Sequence, residues 1–299
     1  MPPARSAHRF LLGLALLLLI LIAGFTWISV LIPTWGAAPD EVALSLPGDE
    51  IVPQPQIRWD HAITIAAPAA EIYPWLIQMG DTRAAFYSYA FIENLAMQAA
   101  GLPGRYVNAD SIHPEWQDPP PGQGMIMTNI SLSGYAPGEW VLASASEEMP
   151  GVLWTWLWYL KPVDGDTARL IVRHRISFPE GAPMPLIKAV FNAGYVMERG
   201  MILGIRERAE GRVPSALFEP LSILLWLAVL TGGIIAAVRF IRRPGHWHPL
   251  GIGMEAVVFL FIFSFIQPPL WLRFVLFLVL AGSLVIAFRQ ERSRSNTGD

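Results

Sequence analysis

The sequence predicts an α+β domain, a curved antiparallel sheet wrapped around a long C-terminal helix, carried on about four membrane-spanning helices. Three observations lead there. One alternating strand and a helix open the middle of the chain, and a run of further alternating strands follows. A single long amphipathic stretch, Pro185 to Glu210, closes it. Apolar residues are concentrated outside this region, in Phe10 to Ile32 and in Ala216 to Phe288. Strands segregated from helices argue for α+β rather than for alternating βαβ units.

The composition fits this division. Mean hydropathy is +0.41 and 53% of the 299 residues are hydrophobic, too apolar for an ordinary soluble protein. The middle segment has ordinary polarity and about 180 residues, enough for one sizeable core. There is no cysteine, which excludes disulfides, a thiolate nucleophile and cysteine-ligated metal. Between Thr34 and Ser215, 12 Lys and Arg face 20 Asp and Glu, whereas the rest of the chain has nine basic residues against four acids. A domain this acidic is a poor partner for nucleic acid, whose binding requires neutralising phosphates.

Arg5, His8 and Arg9 precede the first apolar run, which is longer than the core of a secretory signal and long enough to cross roughly 30 Å of hydrocarbon. A retained anchor over residues 1–33 is therefore expected rather than a cleaved leader. Residues 34–56, rich in proline, read as an extended tether. From Arg58 the chain alternates: Trp59, His61, Ile63 and Ile65 on one face, Asp60, Ala62 and Thr64 on the other. Ala67-Pro68 ends this strand, because proline donates no ladder hydrogen bond yet suits the start of a helix. Glu71 then favours the positive end of the helix dipole, and Ile72, Trp75, Leu76 and Met79 recur at helical spacing.

A helix or helical loop is expected over Ala85 to Ala100, stopped by Gly101 and Pro103, then an irregular connection through residue 124. Strands are expected at Met125 to Leu132, Glu139 to Ser146, Val152 to Leu160 and Ala168 to Phe178, with Gly and Pro turn signals between them. In the third of these, Trp154, Trp156 and Trp158 share a face. In the fourth, Leu170, Val172, His174 and Ile176 alternate inward against Arg169, Ile171, Arg173 and Arg175. The closing helix places Ile187, Phe191, Gly194, Met197, Met201 and Ile205 at spacings of three and four; Gly194, Gly200 and Gly204 imply close sheet contact or room for a ligand.

Three more apolar spans follow within 213–289, the last two separated by Gln267-Pro268-Pro269. If the chain alternates across a bilayer, Arg5, Arg9, Arg239, Arg242, Arg243, Arg289, Arg292 and Arg294 all lie on one face. The positive-inside rule makes that face cytoplasmic, with residues 290–299 as a cytoplasmic tail and the domain at 57–212 outside. Arg273 alone disagrees, near a helix end from which it can snorkel.

The phrase Ala67-Pro68-Ala69-Ala70-Glu71-Ile72-Tyr73-Pro74-Trp75-Leu76, the strand before it and the closing helix resemble the SRPBCC superfamily, the START-like, polyketide-cyclase-like helix-grip domains. Trp75-Leu76-Ile77-Gln78-Met79-Gly80, Phe86-Tyr87-Ser88-Tyr89, Glu93-Asn94 and His113-Pro114-Glu115-Trp116-Gln117 are similar to a bacterial membrane-anchored subgroup of it. That subgroup tends to have glycines before Phe-Tyr and an acid after the second Tyr, where this chain has Ala84-Ala85 and Ala90. The resemblance covers residues 48 to 212. It implies an apolar cavity between the sheet and the long helix, in a superfamily of lipid carriers, cyclases, hydrolases and ligand sensors. Fold alone does not choose among these.

The residues expected to line such a cavity are Trp75, Tyr87, Tyr89, Trp116, Trp154, Trp156, Trp158 and His174, since ligand pockets are mostly apolar with a few polar groups. The expected partner is a lipid or hydrophobic small molecule. The alternative is a cyclase- or hydrolase-like reaction in the same cavity through His174 or the Asp110 to Glu115 loop. Asp60 and His61 point to opposite strand faces and so make no acid–base pair. Asp110, His113, Glu115 and Asp118 match no established metal-ligand spacing. His246-Trp247-His248 reads as an interfacial anchor, and Glu255 lies one turn inside a span. No G-x-S-x-G elbow, H-E-x-x-H, P-loop or G-x-G-x-x-G is present, so no cofactor or metal is expected.

Overall fold

The computed structural model describes residues 3–99, 101, 106–126, 129–243 and 246–296. The chain divides into two compact units, Ser29–Pro214 and Met1–Ile28 with Ser215–Asp299.

The first unit is α+β, with six strands in one antiparallel sheet of order β1-β6-β5-β4-β3-β2. The strands are β1 (Ile57–Ile65), β2 (Gly124–Ile126), β3 (Ile130–Ala136), β4 (Trp140–Ala145), β5 (Leu153–Pro162) and β6 (Ala168–Ser177). The expected strand over Met125 to Leu132 is instead a β2–β3 pair, with residues 127 and 128 outside those described. Helix α3 (Ala69–Ile77) follows β1, as the proline signal predicts. Residues 81–89 are turns rather than helix, and α4 runs only from Ala90 to Ala99; Pro103 lies outside the described residues. The long closing helix is α5 (Met184–Ala209). Its residues Met201, Ile202, Ile205 and Ala209 join the inward faces of the strands and α3 in one core, the arrangement of a helix-grip domain.

Two features anchor this unit. Residues 34–56, expected as an extended tether, fold into a strap over the outer face of the sheet. Short α2 (Pro39–Ala43) lies within the strap, and Leu46 packs on Ala62, Leu142, Leu157 and Ile171. The outward arginines of β6 are therefore not solvated. Arg173 is 1% exposed and uses all five of its N–H donors. It reaches the Asp60 carboxylate at 2.5 Å, Asp49 at 2.7 Å and the carbonyls of Leu44, Glu41 and Val42 at 2.8, 3.1 and 3.1 Å. Arg169 pairs with Glu41 at 2.6 Å, and Arg175 donates to the carbonyls of Val52 and Pro53. The free edge of β1 is covered as well: Ala62 N–H donates to the Trp35 carbonyl at 3.0 Å, and Gly36 bridges His61. Gly36 has φ +72°, and a Cβ there would lie 2.1 Å from the Ala62 carbonyl oxygen, so only glycine lets the chain approach this closely. An edge covered in this way cannot recruit a foreign strand.

Of the three glycines singled out in α5, Gly200 and Gly204 serve contact rather than space, whereas nothing would meet a Cβ at Gly194. A Cβ at Gly204 would lie 2.1 Å from the Tyr87 carbonyl oxygen, and one at Gly200 would lie 2.6 Å from Ser88 Oγ. The loop after α3 thus rests directly on the helix backbone.

The second unit holds α1 (Pro3–Leu31) as far as Ile28, with α6 (Phe218–Arg242), α7 (His248–Phe261) continuing as a π-turn to Ile266, and α8 (Leu270–Asn296). The described residues contain four helices long and apolar enough to cross a membrane: Ala7–Thr34, Phe218–Arg242, His248–Ile266 and Leu270–Gln290. Arg9 is buried, donating to the Phe240 carbonyl at 2.9 Å and the His246 carbonyl at 2.7 Å, with its guanidinium 4.1 Å from the Phe240 ring centre. That contact puts the N-terminal end of α1 beside the C-terminal end of α6. Arg273 is also buried, donating to the Pro268 carbonyl at 2.8 Å instead of snorkelling to water.

Candidate functional site

Three buried titratable side chains meet where α5 crosses β1 and β6. His61 is held by the inward alternation of β1, His174 by its register opposite Trp59 on β1 and Trp156 on β5. Glu198 projects from the middle of α5 and accepts from His174 Nε2 at 3.1 Å, while His61 Nδ1 lies 3.4 Å from the same carboxylate oxygen. The far nitrogens are also engaged: His61 Nε2 donates to the Ile32 carbonyl at 2.7 Å, and Trp154 Nε1 donates to His174 Nδ1 at 3.0 Å. Aromatic rings enclose the group. Trp59 and Tyr195 each lie 5.4 Å from His61, and Trp156 stacks on His174 at 5.3 Å. His174 is thus a core histidine with both ring nitrogens committed, so acid–base work on a substrate would first have to break one of these bonds.

Burial alone pushes the Glu198 carboxyl up, but its interactions with the two facing histidines, His174 foremost and then His61, more than reverse this, holding it down at about 2 against an ordinary 4.5. Between these values the unfolded chain binds the proton that the folded chain refuses, so this contribution to stability is complete above about pH 4.5 and fades as pH falls toward 2. Melting temperatures of the full chain across that range should fall less steeply for Glu198→Gln than for the wild type. Parallel slopes would show that Glu198 is not so held.

Beside this group lies the aromatic face of β5. Trp154 is half-buried, whereas Trp156 and Trp158 are 3% and 0% exposed, 5.3 Å apart between ring centres and backed by Phe86. The indole N–H groups of Trp156 and Trp158 are buried and have no acceptor among the described residues. Leaving a buried donor unmade costs about 1–3 kcal/mol, and native structures tolerate few such groups without a reason.

The other residues expected to line a cavity are placed as follows. Trp75 is buried on α3 with its ring 5.8 Å from Tyr87. Tyr87 is buried too, in a left-handed backbone conformation at φ +58°. Its hydroxyl accepts from Gln78 Nε2 at 2.8 Å, and its ring faces the Arg208 guanidinium at 4.6 Å. Gln78 also accepts from the His113 amide at 3.0 Å and from Gln117 at 3.2 Å, so it ties Tyr87 to the loop at 111–117. Tyr89 is half-buried beside Gly200. Trp116 stacks on His113 at 4.1 Å and packs against the same core. Asp118 accepts from the Tyr135 hydroxyl at 2.6 Å, and His113 faces Glu115 at 3.3 Å; among the described residues no three such groups converge on a metal position.

The sequence placed His61 on the inward strand face and argued against an acid–base pair with Asp60, but gave it no partner on α5, and Glu198 was not singled out. A signal was present: Glu198 falls at the i+4 position between Gly194 and Met201 on the apolar stripe of α5, and each histidine sits on the inward face of its strand.

Fold and site together define a class: a helix-grip α+β domain joined to helices apolar enough to cross a membrane. No family model matches the chain, and no curated protein matches it. Among solved structures, it is similar to the di-domain ARO/CYC BexL from the BE-7585A biosynthetic pathway (14% identity, TM-score 0.32), of which it spans about half, 46%, with 51% of its own length. It is similar also to the ZhuI aromatase/cyclase from Streptomyces sp. R1128 (16% identity, TM-score 0.28, 53% of this chain and 96% of that one). A START superfamily protein from Mycobacterium smegmatis matches at 15% identity and TM-score 0.26, over 52% of this chain and 96% of that one.

Proposed function

We propose that the α+β unit binds a hydrophobic small molecule or a lipid between the sheet and α5, and that the ligand offers hydrogen-bond-accepting oxygen to Trp156 and Trp158. One observation carries this reading: two fully enclosed indole N–H donors, side by side on an aromatic face, lack an acceptor among the described residues. Apolar walls with a few unspent polar groups are what ligand sites are made of. Trp75, Tyr87, Tyr89, Trp116, Trp154 and His174 serve as walls and props of this site, Tyr87 and His174 having spent their polar atoms on the protein itself.

The test is extraction of the purified full chain with organic solvent and mass spectrometry of the extract. A stoichiometric apolar compound is expected from the wild type. At least tenfold less is expected from the double variant Trp156→Phe/Trp158→Phe, which should fold as stably as the wild type because it removes two unpaired donors while keeping the aromatic bulk. Repeated recovery of empty wild-type protein, or equal recovery from the double variant, contradicts the proposal.

The same reading places the chain in a cell membrane as a multi-pass protein, with both termini cytoplasmic and the α+β unit outside. Its support is the eight arginines that fall on one face under alternation, and Arg9 bonded at the α6 end beside Arg239, Arg242 and Arg243. Because the chain has no cysteine, single cysteines report sidedness cleanly. In intact cells an impermeant maleimide should label Asp164→Cys and spare Arg243→Cys; the reverse pattern would invert the topology.

A further inference from the structure

The hydrogen-bond partners of the Glu198 group restrict where its hydrogens can lie. The Ile32 carbonyl can only accept, so His61 Nε2 carries a hydrogen. The Trp154 indole can only donate, so His174 Nδ1 is bare and its hydrogen is on Nε2, directed at Glu198 Oε1. His61 Nδ1 then faces that same oxygen at 3.4 Å. With a neutral ring and a bare carboxylate, this contact sets one lone pair against another and leaves a net negative charge in the core. Buried charges persist only when compensated. A single added proton removes both difficulties at once.

We propose that His61, His174 and Glu198 form a buried proton-binding site, and that the proton it holds between His61 and Glu198 clasps α5 to β1. The other groups facing it do not supply the compensation. From α5, Tyr195 presents its ring to His61, and its hydroxyl accepts from Arg199, whose guanidinium lies 4.1 Å over Trp35 at the rim. From β1, β5 and the segment before β1, the facing groups are the rings of Trp59, Trp154, Trp156 and Trp35. The charges next in sequence, Asp60 and Arg173, lie on the opposite face of the sheet and pair with each other. The Glu198 oxygen that faces His61 Nδ1 already accepts the His174 Nε2 hydrogen at 3.1 Å, so the proton is assigned to His61, as an imidazolium–carboxylate pair.

The position of the pair gives it a role. Beyond Glu198 toward its C-terminus, α5 is fastened by Met201, Ile202 and Ile205, all within the core. Toward its N-terminus, Leu186 and Val190 are 63% and 62% exposed and nothing would meet a Cβ at Gly194, so the sheet contacts there are those of two rings, Phe191 on Trp59 and Trp154 and Tyr195 on Trp59 and His61. Glu198 therefore marks the point where a densely packed helix becomes one held through a few aromatic contacts. Removing the proton releases the N-terminal half of α5 from the sheet while the C-terminal half stays packed. This claim does not depend on the identity, or the existence, of a ligand.

The test uses the full chain in lipid nanodiscs, labelled with 15N-histidine; it has six histidines. At pH 7 one ring should show both nitrogens protonated, and that signal should vanish in His61→Phe. In Glu198→Gln the same ring should become neutral, and amides of residues 186–197 should exchange with solvent at least tenfold faster, with those of 201–209 unchanged. In the wild type, raising pH should convert the His61 ring and speed the same amides together. The double variant His61→Phe/Glu198→Met, which leaves no uncompensated charge, should keep these amides protected at every pH, and it decides the matter alone if Glu198→Gln fails to fold. A neutral His61 ring in the wild type at pH 7, or exchange in 186–197 that ignores both pH and the variants, overturns the proposal.

Discussion

Replacing Arg173 by alanine is expected to destabilise the α+β unit by about 3–5 kcal/mol, the usual consequence of removing one member of a buried ion pair. The side chain is 1% exposed and its five donors satisfy two carboxylates and three backbone carbonyls. Its loss strands Asp60, itself 1% exposed, with Arg58 as its remaining ionic partner at 2.7 Å. It also leaves the carbonyls of Glu41, Val42 and Leu44 short of a donor. For a unit of this size the change corresponds to a fall in melting temperature of roughly 6–20 °C. Limited proteolysis should show cleavage within residues 39–56 before any strand is cut. Arg173→Lys should fall between, since an ammonium has three donors where the guanidinium has five. A loss of less than about 1 kcal/mol for Arg173→Ala would mean that the strap is held chiefly by Leu46 and its neighbours.

Glu198→Ala is expected to cost a similar amount, about 3–5 kcal/mol, by a different route. It removes the acceptor of His174 Nε2 at 3.1 Å and the counter-charge to His61, in a place enclosed by aromatic rings. Desolvation rather than lost packing dominates, because the substitution leaves buried polar nitrogens unmatched. The control is Glu198→Gln with its matching volume: it keeps an acceptor for His174 but no charge for His61, and should recover part of the loss. Equilibrium unfolding of the full chain in detergent, followed by near-UV signal from the tryptophans, reads both values. Equal stability of wild type and Glu198→Ala would show that the triad contributes nothing to holding α5.

How far the sequence foretold these features depends on whether the determining contact is local. β5 and β6 were legible because period-two alternation is written along the strand and puts Trp156 and His174 on inward faces; that the two lie opposite each other is set by the strand register, which alternation does not supply. The spans were legible because hydrocarbon requires long apolar runs whatever their neighbours. The strap was not, since a proline-rich stretch reads as linker and, beside the carboxylates of Glu41 and Asp49, many of its attachments go to the backbone carbonyls of residues 41, 42, 44, 52 and 53, which every sequence possesses. Its partners were nevertheless visible: arginines flanking Ile171 on the outward face of β6 mark a face that is covered rather than wet. The eight residues expected to line a cavity proved to be of two kinds. Trp156 and Trp158 keep unspent donors, whereas Tyr87 and His174 are fastened through Gln78 and Glu198, contacts between elements far apart in the chain. Gly200 and Gly204 of α5 likewise answered to the loop at Tyr87 rather than to a ligand, which no spacing within the helix reveals.

The measurement closest to the central claim is the indole 1H–15N spectrum of the full chain labelled with 15N-tryptophan, recorded as purified from membranes and again after the bound compound has been stripped by detergent exchange. Of the 12 tryptophans, Trp156 and Trp158 are identified by the signals missing from their phenylalanine variants. Both indole protons are expected downfield, in the hydrogen-bonded range, in the first sample, and both should move upfield in the second. Two indole signals that stay at the same non-bonded position in both samples would contradict the claim that a ligand meets them.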